Sequence, residues 1–156
     1  MTDTDKLVLR PARREDVPSI VRLLADDHLG ATREALTDPL PASYYAAFDA
    51  ISAQSGSELL VGQIGSEVVA CLQLMILPGL SHQGMTRAQL EGVRVDAPLR
   101  GKGIGEKLCL YAIERAKEKG CGLVQLTSDN SRVAAHRFYE RMDFKKSHVG
   151  MKLSFH

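Results

Sequence analysis

Between an apolar run and a helix-like stretch the chain carries Arg100-Gly101-Lys102-Gly103-Ile104-Gly105, with glycines at alternate positions. Glycine there removes the Cβ atoms that would hold a ligand off the backbone, and it admits left-handed dihedrals closed to most residues. Successive N–H groups can then converge on anionic oxygens at the positive end of a helix. The predicted order is a strand over Val93-Arg94-Val95, the glycine turn, and a helix opening at Glu106-Lys107-Leu108. That order is the one a pyrophosphate cradle requires. The spacing narrows the ligand further. A nucleoside-triphosphate loop needs G-x-x-x-x-G-K-[ST] and a dinucleotide fingerprint needs G-x-G-x-x-G. Here Glu106 stands where that last glycine belongs, and no Ser or Thr follows a Gly-Lys pair.

The 156 residues suffice for one domain with a single core, so residues 1–156 are read as one domain. With 20 basic and 19 acidic side chains spread along the chain, the formal charge is +1. This gives no electrostatic case for nucleic acid or an anionic membrane, and small molecules are the expected partners. The N-terminal Met1-Thr2-Asp3-Thr4-Asp5-Lys6 is polar, and no apolar run approaches the roughly 18 residues of a spanning helix. A cytoplasmic location is the expectation. Cys71, Cys109 and Cys121 are odd in number and lack C-x-x-C or metal-ligand spacing, so they read as reduced core thiols. The histidines lack H-x-x-x-H spacing, and no metal site is expected.

Periodicity places the elements. Leu7 to Arg10 reads as a strand. Residues 15 to 26 read as a helix with acidic residues in its first turn and Val17, Ile20, Val21, Leu23 and Leu24 inward. A second helix is predicted near 41 to 54. Glu58 to Ile64 and Val68 to Leu77 flank Gly65-Ser66 as a hairpin, and 80 to 86 is a flexible connection carrying His82. Leu90 to Val95 is a fourth strand. The helix after the glycine turn puts Ile104, Leu108, Ala112 and Ala116 on one stripe and ends at Lys119-Gly120. Leu123 to Thr127 is a fifth strand. Asn130 or Ser131 is expected to cap a last helix with Val133, Ala134, Phe138 and Met142 inward, and Phe144 to Phe155 to supply one or two final strands. The strand–helix–strand run 90 to 127 implies a parallel pair and the hairpin an antiparallel one, so the sheet is mixed.

Arg100, Gly103 and Gly105 meet the pattern R-x-x-G-x-G, and the later series Asn130…Ala134…Phe138-Tyr139-Glu140…Phe144 follows in order. In these motifs the chain resembles the GNAT (Gcn5-related N-acetyltransferase) superfamily, and its element order matches that fold from end to end. The resemblance implies an α/β (α+β) single-domain fold. It would have a mixed twisted sheet of six to seven strands, about four helices, and parallel strands 4 and 5 splayed apart. It implies acetyl-CoA as cosubstrate. The pyrophosphate would be held by main-chain N–H groups of Gly101, Lys102, Gly103, Ile104, Gly105 and Glu106, with charge from Arg100 or Lys102. By the same resemblance, the backbone amide at Val95 holds the thioester carbonyl, Val93 and its strand neighbours pair with pantetheine, and Asn130 touches the pantetheine arm. Arg132 and Arg137 are candidates for the adenosine phosphate. A homodimer through the last strands is a further implication.

Acetyl transfer from a thioester to an amine needs a neutral amine, a polarised carbonyl and a stabilised leaving thiol. Free amines with pKa near 10.4 are almost wholly protonated at neutral pH, so a base or water relay is required. The resemblance makes Tyr139 the acid that protonates the sulfur. Relatives in several branches carry a glutamate at the position of Gln89, and an amide cannot accept a proton. Glu91 lies two residues on, and strict strand alternation puts it on the face of Gln89, Val93 and Val95. It is the candidate base, with a water chain through His28, Asp26 or Asp27 as the competing idea. At Met142-Asp143-Phe144 relatives usually have glycine in the middle, where aspartate tolerates the left-handed conformation. The acceptor site is expected from residues 27 to 57, 78 to 86 and the final strands, with Tyr44, Tyr45, His28, His82 and His148 available as a polar lining. Three functions remain open. They are an N-acetyltransferase for a small primary amine, one for protein lysines or N-termini, and a cofactor-binding domain without catalysis. The run Ala135-His136-Arg137-Phe138-Tyr139 with Ser147-His148 is similar to the aminoalkylphosphonate N-acetyltransferase branch, a hint toward small amines.

Overall fold

Five strands, β1 (Leu7–Pro11), β2 (Glu58–Ile64), β3 (Glu67–Leu77), β4 (Arg87–Val95) and β5 (Leu123–Leu126), lie in spatial order β1-β2-β3-β4-β5. The computed structural model describes residues 2–156. The chain forms two units that divide after Gln125. The first three strand pairs are antiparallel. The predicted hairpin closes at Gly65, whose φ of +60° is the left-handed setting that a two-residue turn of this hand needs.

Cross-strand partners share a face, and the register therefore assigns each side chain to one side of the sheet. Val61 pairs with Cys71, and both pack with Ile20 and Leu23 of α1 (Val17–Ala25). The opposite face carries Leu60 paired with Leu72, and Leu74 paired with both Glu58 and Leu90. Glu58 reaches Arg115 of α5 (Ile104–Glu118), with Arg115 Nε donating to its Oε1 at 3.0 Å, so α5 covers that second face. α5 buries Ile104, Leu108, Cys109, Ala112 and Ala116, the predicted stripe with Cys109 added. Leu108 is wholly buried, and its removal from water contributes about 1.5–3 kcal/mol. Lys119 and Gly120 (φ +82°) end the helix as expected. α1 is fixed at its start by Asp16, which accepts from the Arg13 N–H and takes both Nη atoms of Arg10 at 2.7 and 3.0 Å.

Several expectations are corrected. Among the described residues the sheet has five strands, not six or seven, because no strand forms in the tail. Val149, Met151, Leu153 and Phe155 do alternate with smaller or polar residues, yet they are 83–91% exposed. A strand exists only when a neighbour takes up its N–H and C=O groups, and alternation alone supplies none. Among the described residues the α-helical segments number six rather than about four. The extra two are single turns, α2 (Gly30–Arg33) and α4 (Ser81–Gly84); in α4 His82 and Gln83 are left-handed. α3 (Ala42–Ala53) fills the predicted 41 to 54. No helix among the described residues is long and apolar enough to cross a membrane.

In the second unit α6 (Val133–Arg141) starts after Arg132, which offers no side-chain cap. Neither Asn130 nor Ser131 caps it. Asp129 organises the approach instead: its Oδ1 accepts from Ser131 N–H (2.9 Å) and Oγ (2.7 Å), and its carbonyl accepts from Arg132 N–H at 3.0 Å. A side chain two residues ahead of a turn bonds its backbone more readily than the turn residues can.

Candidate active site

The turn between β4 and α5 has the geometry the glycines predict. Gly101 (φ +78°) and Gly103 (φ +82°) are left-handed, and a Cβ added at either would meet nothing within 4 Å. The protein therefore does not need glycine there for packing. It needs glycine for the dihedrals, and the absent side chains leave the outer face of the turn open. The first helical bond of α5 runs from Lys107 N–H to Gly103 O at 3.1 Å. The N–H groups of Ile104, Gly105 and Glu106 thus precede the helix ladder, at its positive end. Ile104 is buried and pins the turn to the core, while Gly101, Lys102, Gly103 and Glu106 are exposed. The arrangement fits a diphosphate: an anion would find donors, partial positive charge and no obstructing Cβ.

Arg100, half exposed, folds back along the surface onto the end of β4. Its Nε donates to Val95 O at 3.0 Å and its Nη2 to Asp26 O at 3.3 Å, with Asp26 Oδ2 3.9 Å away. Two further pairs join the same regions. Arg22 Nη1 is 3.2 Å from Asp96 Oδ1, and Arg94 Nε is 3.9 Å from Asp27 Oδ2. The end of α1 and the residues after it are thereby stapled to the end of β4. Asp26 and Asp27, offered by the sequence as members of a proton relay, are each held by an arginine.

β4 is interrupted where the chemistry is expected. Gln73 pairs with Glu91 and Cys71 with Arg94, so Gly92 and Val93 together oppose Leu72. This is a β-bulge, and Gly92 (φ +61°) supplies its left-handed residue. The bulge flips the alternation. Gln89, Glu91 and Arg94 share the α1 face through their partners Met75, Gln73 and Cys71, whereas Val95 pairs with Ala70 on the α5 face beside Leu90 and Ala88. The expectation that Glu91 shares a face with Val95 is therefore wrong, and Val93 lies inside the bulge where alternation does not apply. An isolated glycine in a strand pattern was the signal available for this.

On the α1 face a short polar row crosses from β5 to β4. Gln125 Nε2 donates to Gln89 Oε1 at 3.0 Å, and Gln89 Nε2 donates to Glu91 Oε1 at 2.8 Å. All three side chains are half-buried. The sequence offers no signal for Gln125, since its role depends on which strand lies beside β4.

Tyr139 and Asn130 belong to the second unit. α6 ends in a Schellman motif: Phe144 N–H bonds Tyr139 O and Asp143 N–H bonds Glu140 O, each at 3.0 Å. Asp143 occupies the left-handed position (φ +69°), as expected of the residue standing where glycine is usual. The apolar contact that accompanies such ends is here Tyr139 against Phe144, edge to face at 5.7 Å, and the Phe138 ring lies 5.1 Å from the Tyr139 ring. The Tyr139 ring thus packs against two aromatic neighbours. Asn130 is exposed in the turn before α6. Of the proposed lining, the Tyr44 hydroxyl accepts from Ala35 N–H and donates to Glu34, His82 sits exposed in its left-handed turn, and His148 contacts Ser147 Oγ. The cysteines offer no nucleophile on the first face or the second. Burial pushes the thiols of Cys71 and Cys109 up to about 12, so neither ionises near neutral pH.

The fold and the sequence relatives place the chain in a class of acyl-group transferases. The Acetyltransferase (GNAT) family model matches residues 19–144, and the chain belongs to this family of N-acetyltransferases. The glucosamine 6-phosphate N-acetyltransferase of Trypanosoma brucei brucei is 30% identical over 155 residues, covering 98% of this chain and 99% of that protein. The aminoalkylphosphonate N-acetyltransferase of Salmonella typhimurium is 35% identical over 82 residues; the match spans 53% of each. The crystal structure of a transcriptional regulator from Bacillus halodurans C-125 superposes with a TM-score of 0.93 at 48% identity, covering 96% of this chain and 99% of that one.

Proposed function

We propose that this single-domain enzyme acetylates a primary amine of a small molecule, using acetyl-CoA by direct attack in a ternary complex. The observation that carries the reading is the open glycine turn at the start of α5, with Gly101 and Gly103 left-handed and free of any packing reason to be glycine. Acetyl-CoA supplies the activated acyl group. The N–H groups of Gly101, Lys102, Gly103, Ile104, Gly105 and Glu106 bind its diphosphate. Val93 and Asn130 contact the pantetheine arm between β4 and β5, and the Val95 N–H polarises the thioester carbonyl. Arg100, whose guanidinium bonds Val95 O and Asp26 O, holds the turn against β4 and contributes charge from there.

Glu91 takes the proton from the attacking amine, and Tyr139 gives a proton to the sulfur as the C–N bond forms and the C–S bond breaks. Two observations support Glu91 over the competing aspartates. Asp26 and Asp27 each lie beside an arginine that ties them to the end of β4. Glu91 instead is held by the Gln89 amide on β4 itself. A small amine is favoured by the relatives named for glucosamine 6-phosphate and aminoalkylphosphonates. We also propose self-association through the tail, whose Val149, Met151, Leu153 and Phe155 alternate in sequence and stand exposed. Sedimentation velocity should find a dimer, and a monomer after these four are changed to Ser.

The deciding experiment is acceptor-dependent release of thiol from acetyl-CoA, run with phosphorylated and unphosphorylated amines, amino acids and peptides. Thiol release with small amines is the expected result. Release with peptides alone replaces the substrate class. Tight acetyl-CoA binding without release from any acceptor makes the protein a binding domain, a reading that the name of the Bacillus halodurans relative keeps in view.

A further inference from the structure

The row Gln125–Gln89–Glu91 has only one self-consistent polarity. A carboxylate accepts hydrogen bonds and cannot donate them, so the Gln89 atom 2.8 Å from Glu91 Oε1 must be its amide nitrogen. The Gln89 carbonyl oxygen then faces Gln125, which must in turn present its own amide nitrogen at 3.0 Å. Each amide is oriented by the next, and the direction of the whole row is set by the charge at its end. The bond to Glu91 is charge-assisted, the stronger kind. One carboxylate oxygen is thereby fixed, and Oε2 has no donor among the described residues.

The row also sits where it can matter. Glu91 is the last residue of β4 before the bulge, and its backbone is fixed by pairing with Gln73. Its side chain is half-buried on the α1 face, with Gln89 on the same strand and Gln125 on β5 as the groups that hold it. Gln89 occupies the place where a direct base would be expected, and being an amide it orients the carboxylate two residues away.

We propose that Gln125 and Gln89 are positioning residues: the two-amide relay from β5 turns the Glu91 carboxylate so that Oε2 faces the acceptor amine. This rests on Glu91 being the base. The relay would explain how proton abstraction survives with glutamine at position 89, and it assigns a function to a β5 side chain that has no motif of its own.

The polarity of the row supplies a test that a packing role would not pass. Gln125→Met keeps the length of the side chain and removes the donor. Gln125→Glu keeps the length and reverses the demand: the new carboxylate draws the Gln89 nitrogen to itself and leaves the Gln89 oxygen against Glu91. Both variants and Glu91→Gln would be purified and assayed for thiol release with a saturating amine, together with KM for acetyl-CoA and melting temperature. Gln125→Met should lose about tenfold in kcat, in line with the cost of a slightly misplaced catalytic group. Gln125→Glu should lose more, and both should keep KM for acetyl-CoA and melting temperature close to those of the unmodified protein. Adding Gln125→Glu to Glu91→Gln should cost nothing further, because the group it misorients is already gone.

If Glu91→Gln is inactive while both Gln125 variants turn over normally, or if the double variant is worse by the full product of the singles, the relay is refuted and Glu91 stands as base. If Glu91→Gln turns over normally, the base assignment fails and the relay falls with it.

Discussion

The turn at 100–106 and the strand segment 89–95 are neighbours in sequence, and both belong to the proposed site, but they are built on opposite principles. The turn works with main chain. Gly101 and Gly103 are required by their dihedrals, and its donors are the N–H groups that any helix leaves unpaired at its start. The strand segment works with side chains. Which way Glu91, Arg94 and Val95 point depends on a single extra residue at Gly92 and on the strands either side. A main-chain site tolerates most side-chain changes and fails when a Cβ or a charge intrudes. A side-chain site fails when register or orientation shifts by one residue. The lesson is that adjacent parts of one site can differ completely in what they are sensitive to.

The comparison can be broken most decisively at Gly103. Gly103→Glu places a carboxylate over the diphosphate position, and like-charge contact costs about 3 kcal/mol or more, a loss of about 100-fold in acetyl-CoA affinity by calorimetry. The circular dichroism spectrum should stay that of a folded protein, since a Cβ there meets nothing and the left-handed φ of +82° costs a non-glycine residue only about 1–2 kcal/mol. Affinity within threefold of the original would remove the turn from the site.

Tyr139→Phe tests a side chain from the second unit whose ring is held by Phe138 and Phe144. Loss of the hydroxyl should lower kcat by about 100-fold, the lower range for a general acid, with acetyl-CoA affinity unchanged. Unchanged turnover would take it out of the mechanism.

Gly92→Val puts a β-branched residue at φ +61°, a conformation it strongly resists. The cost should be about 2 kcal/mol, lowering the melting temperature by about 4–8 °C. If the strand instead relaxes by expelling the bulge, turnover should fall further than stability, because residues beyond it change face. A variant with unaltered stability and turnover would show that the bulge does not place these groups.

The smallest effect is expected at Asp143. Asp143→Gly relieves a left-handed aspartate (φ +69°) at the end of α6 and should raise stability by about 0.5 kcal/mol, or about 1–2 °C. A decrease would mean that the aspartate side chain, and not the dihedral, is what the turn needs.

What was legible in the sequence follows from how local each feature is. The glycine turn could be read because left-handed dihedrals and a helix start are written in a few consecutive residues, Arg100 to Glu106. The stripe Ile104, Leu108, Ala112 and Ala116 was equally plain, as the helical period repeats within one segment. The Schellman end at Asp143 was anticipated for the same reason. The faces of β4 were misjudged because alternation was carried through Gly92 without interruption. The tail was given strands on the strength of its alternation, although Val149 to Phe155 have no ladder among the described residues. Asp129, and not Asn130 or Ser131, organises the start of α6, and the pattern does not single it out because a cap is recognised only once the helix start is known to one residue.

By itself, then, the sequence determined the glycine turn, the helices and the amphipathic stripes, because backbone dihedrals and short-period burial are settled within a few residues. Only the tertiary structure decided which side chains meet: Arg100 with Val95 O and Asp26 O, Asp27 with Arg94, and Gln125 with Gln89 and through it Glu91. Those meetings depend on strand register, on one bulge and on sheet order. These are relations between segments far apart in the chain, and a residue-by-residue pattern does not contain them.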